Sequence, residues 1–258
     1  MLGKLRNWLS PQTAVPSTPM PDTTVLAPEK PFFAIGDIHG CDKLLAQLME
    51  KLHSAALGDE TLVVLGDMID RGPNSAAVLE QLFTLSQEHS DGMVCLMGNH
   101  EKMMLEFFED PAGRGARWLS FGGLETLASY GIRGVPKTLA AEDSVEIANA
   151  LEKAMPAEII SWVKGLPAWW RSGNMVCVHA GLDPEMPPEK QRSYVKIWGH
   201  PEFLDKPRQD GLSVVYGHTI VAQPSLRHGR IAVDTGAHMT GRLTAAWLRP
   251  DQCDFLTT

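Results

Sequence analysis

Phe32-Phe33-Ala34-Ile35-Gly36-Asp37-Ile38-His39-Gly40 is a run of strand-forming apolar side chains that stops on a glycine and then offers a carboxylate and an imidazole. The construction returns four times. Leu62–Leu65 runs into Gly66-Asp67, Met93–Met97 into Gly98-Asn99-His100-Glu101, Met175–Val178 into His179, and Leu212–Tyr216 into Gly217-His218. Short apolar runs bounded by turn residues read as buried strands. In open α/β sheets ligands bind beyond the carboxyl ends of the strands, so these widely separated residues are expected to converge on one spot.

Between the runs the periodicity changes. Leu44, Leu45, Leu48, Met49 and Leu52 recur at helical spacing, as do Val78, Leu79, Leu82 and Phe83. Leu105, Phe107, Phe108, Trp118, Leu119, Leu124, Leu127 and Tyr130 predict a helical insertion between the third and fourth strands, continued by Ser144–Lys164 and walling a cleft. From Met175 onward the pattern is strand-rich, with Ile231–Val233 and Leu243–Leu248 reading as further strands. The fold class is therefore α/β (α+β), with a mixed sheet or two packed sheets. A single catalytic domain is expected over 31–258, preceded over 1–30 by a leader carrying Pro11, Pro16, Pro19, Pro21 and Pro28. Such a composition buries too little apolar surface to offset the entropy of ordering, so the leader is expected to be flexible.

The 258 residues are 44% hydrophobic and 21% charged, ordinary for a globular chain, with a formal charge of −8. That charge argues against a nucleic-acid partner held by a general basic surface. A cationic metal pair nevertheless reverses the field locally for a phosphorylated substrate. Cys41, Cys95, Cys177 and Cys253 lack C-x-x-C spacing and read as reduced thiols, with Cys95 and Cys177 packed in the core. No stretch approaches the roughly 18 apolar residues a membrane span needs, and no signal-peptide core follows Lys4 and Arg6. A cytoplasmic protein is expected; the sequence gives no oligomeric state.

Asp37 and His39 flank Ile38, so a carboxylate oxygen and an imidazole nitrogen can point to one side and share an ion. Asp67 follows the next strand and has two oxygens, enough to bridge ions about 3.5–4 Å apart, the spacing of two-metal hydrolases. An N-cap role is the ordinary alternative for such an aspartate. Asp70 and Arg71 add an acid and a guanidinium within the same turn, Asn99 a neutral oxygen, and His100 a titratable group. His179 and His218 each end an apolar run, where a lone histidine more often packs in a core. Their coincidence with the other strand ends favours metal ligation.

These blocks carry a resemblance. Gly36–Gly40, Gly66–Gly72, Gly98–Glu101, His179-Ala180-Gly181 and Gly217-His218-Thr219 resemble the signature blocks of the phosphoprotein phosphatase (PPP) family of metallophosphoesterases. Glu101–Met104, Trp118-Leu119 with Gly122-Gly123, and Val233–Ala237 with Gly241, Leu243 and Thr244 are similar to the bacteriophage lambda type of bacterial phosphatase. The resemblance spans about Phe32 to Leu248. It implies a calcineurin-like fold, a central β-sandwich flanked by helices with a dinuclear site at its edge. It further implies that Asp37, His39 and Asp67 bind one metal, and that Asp67, Asn99, His179 and His218 bind the other. His100 then matches the general acid, Asp70 its hydrogen-bonding carboxylate, and Arg71 a phosphate clamp beside Asn99. The lambda-type pattern places a second phosphate-binding arginine where Ile197-Trp198-Gly199-His200-Pro201 stands here, so His200 is expected in its place, with Arg192 or Arg208 as substitutes. Oxygen and imidazole ligands without thiolate suit manganese, iron or zinc, and the resemblance implies two Mn²⁺.

The activity expected from this reading is that of a serine/threonine protein phosphatase on phosphoprotein or phosphopeptide substrates, with phosphotyrosine as a further substrate. The first alternative is a symmetrical diadenosine tetraphosphate hydrolase, which shares these blocks, a cysteine placed like Cys41 and a proline like Pro73. Glu101, where an aspartate is expected in those hydrolases, tilts the reading towards the protein phosphatase. A catalytically weak phosphoprotein-binding module is the second alternative. His228 and His238 are expected at the surface, and Arg114, Arg117 and Arg171 on solvated faces.

Overall fold

The computed structural model describes residues 25–55, 60–136 and 140–258. Most of the expected leader, 1–24, lies outside the described residues. Of its remainder, Leu26 is buried, and the Asn174 side chain both accepts from Ala27 N (2.8 Å) and donates to Val25 O (2.8 Å).

In chain order the elements are β1 (Phe32–Ile35), α1 (Asp42–Ala55), β2 (Thr61–Val64), α2 (Ser75–Glu88), β3 (Met93–Cys95), α3 (Asn99–Glu109) and α4 (Pro111–Trp118). A kinked segment, Leu119–Gly123, with Gly122 at φ 114°, then leads into α5 (Leu124–Ser129), α6 (Ala141–Ala154) and α7 (Ala157–Lys164). The remainder holds β4 (Trp169–Ser172), β5 (Met175–Val178), a 3₁₀ turn (Pro188–Lys190), α8 (Ser193–Trp198), β6 (Ser213–Tyr216), β7 (Ser225–Arg227), β8 (Arg230–Ala232), α9 (Ala237–Thr240), β9 (Thr244–Arg249) and β10 (Gln252–Thr257).

Two five-stranded mixed sheets result, with orders β10-β9-β1-β2-β3 and β4-β5-β6-β8-β7. In the first, β1, β2 and β3 are parallel (Phe32 opposite Thr61) and β9 joins antiparallel (Phe32 opposite Leu248). In the second, β5, β6 and β8 are parallel, with β4 and β7 as antiparallel edges. Successive strand side chains point to opposite faces, and the cores divide accordingly. Phe32, Ala34, Val63, Leu65, Met175, Cys177, Val215 and Ile231 meet between the sheets. Phe33, Ile35, Leu62 and Val64 face the other way, onto Leu45, Leu48 and Leu52 of α1, Val78, Leu79 and Leu82 of α2, and Met103, Met104 and Phe107 of α3. The sandwich flanked by helices is thus the expected fold, and Cys95 and Cys177 are buried free thiols in it. Among the described residues no helix is long and apolar enough to cross a membrane.

Candidate active site

The carboxyl ends of the six parallel strands deliver Asp37, Asp67, Asn99, His179, His218 and Asp234 to one place between the sheets. Asp67 is the hub, 1% exposed. Its Oδ2 lies 3.6 Å from His39 Nε2 and 3.8 Å from His100 Nε2, while its Oδ1 lies 3.4 Å from His179 Nε2. The two oxygens therefore face two donor groups, His39-Asp67-His100 and Asp67-His179-His218, each with ligand atoms within 4.8 Å of one another. Asp37 joins from β1, its Oδ2 4.0 Å from His39 Nε2, and its carboxylate accepts His218 N at 3.0 and 3.1 Å. A side chain on Gly217 would collide with Asp37 Oδ1, so only glycine permits this approach.

The imidazoles are aimed. His39 Nδ1 donates to Ile69 O (2.8 Å) and His179 Nδ1 to Leu65 O (2.9 Å), which leaves the Nε2 lone pair of each turned inward. His179 Nε2 then lies 2.8 Å from Asn99 Oδ1 and 3.2 Å from His218 Nδ1. Two lone pairs facing each other at 2.8 Å are relieved by a cation held between them, so the donor set fits a metal pair, and one of hard or borderline character. Charge points the same way. Burial, then Asp234 and Asp67, push the Asp37 carboxyl well above its usual range, and burial raises Asp234 to about 6. Burial would raise Asp67 too, but His179, His100 and His39 outweigh it and hold it low. Burial lowers His39, takes His179 down to about 4, and lowers His218, keeping all three unprotonated as ligands must be.

Beside the cluster stands a second constellation. His100 Nδ1 donates to Asp70 Oδ2 at 2.7 Å, and Asp70 also accepts from Trp118 Nε1 (2.9 Å) and Thr126 Oγ1 (2.6 Å). Burial lowers the His100 pKa, but Asp67 and Asp70 outweigh it and leave the pKa raised. Arg71 spans the mouth, Nη1 2.9 Å from His39 Nε2 and Nη2 2.9 Å from His100 Nε2. Left-handed backbone concentrates here: His39, Asp67, Asp70, Arg71 and His218 all have φ between 47° and 71°. Such strain clusters at functional sites because the surrounding structure must hold it.

Glu101 is the main brace. Its Oε1 accepts Met68 N (2.8 Å) and Ile69 N (3.3 Å), and its Oε2 accepts Asp67 N (2.9 Å) and Gly98 N (3.0 Å). Glu101→Gln would set an amide NH₂ against two of those donors. At 1–3 kcal/mol for each buried unsatisfied donor, it should lower unfolding stability by about 3 kcal/mol, which urea denaturation measures. Stability within a few tenths of wild type would remove the bracing role.

Gly122 braces the other side. It has φ 114°, its O accepts Arg71 N (3.3 Å), and an added Cβ would lie 2.7 Å from Arg71 N. Gly122→Ala is expected to displace Arg71 and lower kcat/KM about 10- to 100-fold without loss of metal, since an ångström of misplacement has that scale of effect. An unchanged kcat/KM would show that Arg71 has slack.

Of the residues singled out from sequence, Asp37, His39, Asp67, Asp70, Arg71, Asn99, His100, His179 and His218 come together. His200 Nε2 lies 3.9 Å from Asp183 Oδ2, and its Nδ1 accepts Glu202 N at 3.3 Å. Arg208 is committed to Asp183 O (2.7 Å) and Met186 O (3.0 Å). Arg117 stacks on Trp198, 4.5 Å from the ring centroid, and Arg171 pairs with Glu189. His238, expected at the surface, instead sets its ring edge-on to His39 at 4.9 Å. Asp234 was missed although Ile231–Val233 followed by an acid repeats the signal that located Asp37.

A phosphoester-cleaving metal site at the edge of a β-sandwich is what this fold and these side chains define. The family model of calcineurin-like phosphoesterases matches residues 30–234, and the chain belongs to that family. It is 28% identical over 237 residues to an asymmetrical bis(5′-nucleosyl)-tetraphosphatase of Oceanobacillus iheyensis, covering 82% of this chain and 86% of that one. It is 30% identical over 166 residues to a symmetrical bis(5′-nucleosyl)-tetraphosphatase of Acidovorax ebreus, covering 63% of this chain and 48% of the relative, about half its length. A solved structure assigned provisionally as a diadenosine tetraphosphatase superposes with TM-score 0.60 at 22% identity, over 91% of this chain and 97% of that one, a likeness of fold.

These relatives overturn the expectation of a serine/threonine protein phosphatase: they are bis(5′-nucleosyl)-tetraphosphatases. The reason the sequence reading tilted wrongly is visible in Glu101. Its oxygens are taken up by four backbone N–H groups, so its identity reports how the Asp67 loop is braced and carries nothing about the leaving group.

Proposed function

We propose that the chain hydrolyses bis(5′-nucleosyl) tetraphosphates at this site. The observation that carries the substrate class is the likeness to a tetraphosphatase along 237 residues, 82% of this chain and 86% of that one. Asp37, His39 and Asp67 would hold one divalent cation, and Asp67, Asn99, His179 and His218 the other, with Mn²⁺ suited to both. When bound, such a pair supplies Lewis acidity towards a phosphoryl oxygen and activates water as nucleophile. Arg71, already poised between His39 and His100, clamps the attacked phosphate through its fork of donors. His100 gives its Nε2 proton to the departing phosphate oxygen, and Asp70 fixes the ring by holding the Nδ1 proton. Trp118 and Thr126 in turn hold Asp70, so the acid is oriented by packing as well as by charge.

The test is turnover of diadenosine tetraphosphate by purified, manganese-loaded protein beside phosphoserine, phosphothreonine and phosphotyrosine peptides, with products separated by anion exchange. The expected kcat/KM is about 100-fold or more in favour of the dinucleotide, the scale on which a dedicated binding site discriminates. The products, two ADP or ATP with AMP, fix which bond breaks. Turnover confined to peptides would sink the proposal.

A further inference from the structure

Phe121 is held out of the core by an irregular piece of helix. Its neighbours Trp118 and Leu119 are buried, but the chain kinks at Gly122 (φ 114°) between α4 and α5, and Phe121 emerges 48% exposed. The kink is pinned: Gly122 rests against the Arg71 backbone, its O accepting Arg71 N. The Phe121 ring consequently stands 6.5 Å from the His100 ring, edge-on at 80°. Arg71, Leu119, Ser120, Phe121, Gly122 and Glu125 line a cleft of about 510 Å³, within the range that small-molecule sites occupy. The cleft takes a cation from Arg71, whose guanidinium lies between His39 and His100, an aromatic face from Phe121 and an exposed carboxylate from Glu125. The guanidinium suits an anionic chain; the aromatic face and the carboxylate suit a flat, uncharged ring bearing amino groups.

We infer that Phe121 is the stacking platform for a nucleobase of the substrate, in the cleft that Arg71 opens and Glu125 borders. The inference rests on the proposed tetraphosphatase activity and adds to it the element that tells a nucleotide from a bare polyphosphate. A buried aromatic would have been stabilised by the core and would leave the cleft only Leu119 and Leu124 as apolar lining, with no flat face. An exposed one pinned beside the proton donor is bound to meet whatever the phosphate chain carries.

The experiment is calorimetric binding to manganese-loaded protein of a methylene-bridged, non-hydrolysable diadenosine tetraphosphate, with inorganic tripolyphosphate as the base-free ligand. It is made on wild type, Phe121→Ala, Phe121→Leu and Phe121→Trp. Stacking of one base on an aromatic ring predicts about tenfold weaker dinucleotide binding for Phe121→Ala and Phe121→Leu, and recovery in Phe121→Trp. Tripolyphosphate affinity should be the same in all four. Equal weakening of both ligands would overturn the platform and leave Phe121 as a support for Arg71, and unchanged dinucleotide affinity in Phe121→Ala would overturn it outright. Wild-type protein that binds tripolyphosphate yet gains nothing from the two nucleosides would remove the tetraphosphatase reading itself, a result distinct from either variant outcome.

Discussion

His100→Ala is expected to lower kcat on diadenosine tetraphosphate by about 10²- to 10⁴-fold, the usual contribution of a positioned general acid, while two equivalents of metal remain bound. The split between the two readouts is the informative part. His100 Nε2 lies within reach of Asp67 Oδ2 and forms a possible donor triad with His39 and Asp67. As a ligand it would take metal away when removed; as an acid it would not. The Nδ1 bond to Asp70 orients the ring for either role, so the metal content decides between them. The sign of the pH dependence follows. A general acid works in its protonated form, so kcat is expected to fall as pH rises through the His100 pKa, which burial lowers but Asp67 and Asp70 raise above its ordinary value. Asp70→Asn removes one of those charges and should move the falling limb to lower pH. A substrate with a better leaving group should lose less on His100→Ala. Metal analysis showing one equivalent lost from His100→Ala would transfer the residue from acid to ligand.

The fold was legible where burial on both faces left continuous apolar runs, as in β1, β2, β5 and β6. It was not where a strand is specified by its neighbour. In β10, Gln252, Asp254 and Thr257 break any apolar signal, and the strand exists because Cys253 and Phe255 pair with Leu248 and Ala246 of β9. Edge strands β4 and β7 are of the same kind. Gly122-Gly123 marks a kink between two helices, and the left-handed conformation of Gly122 there goes with its contact to Arg71, which no local pattern announces.

In the site, the residues at strand ends were legible because one rule, an apolar run followed by a ligand, found them. The supporting side chains obey no local rule: Trp118 and Thr126 reach Asp70 across 48 and 56 positions. His238 was read as a surface residue because its loop carries no apolar run. The left-handed glycines Gly236 and Gly241 at the two ends of the one-turn helix α9 bring it back against His39.

Asp67→Ala should be the most damaging single change, reducing turnover by more than about 10⁴-fold because Lewis acidity and the activated nucleophile are lost together, several kcal/mol in sum. Its Oδ1 faces His179 and its Oδ2 faces His39 and His100, so among the described residues it is the side chain that both donor groups share. The residue also accepts His100 N at 3.0 Å, so its loss loosens the start of α3 and with it Asn99. Bound metal should fall from two equivalents to fewer than one. Stability supplies an independent readout: cation binding to the folded state alone adds about 2.7 kcal/mol per site at a hundredfold excess over the dissociation constant. Chelator should therefore lower the wild-type melting temperature and leave that of Asp67→Ala nearly unmoved. Asp67→Asn keeps the oxygen that accepts His100 N but gives up a charge and one ligand oxygen, and should retain about one cation with little turnover. Two equivalents of metal in Asp67→Ala would mean that the cations are not bridged here, and the division of the six strand ends between two ions would have to be redrawn around Asp37 and Asp234.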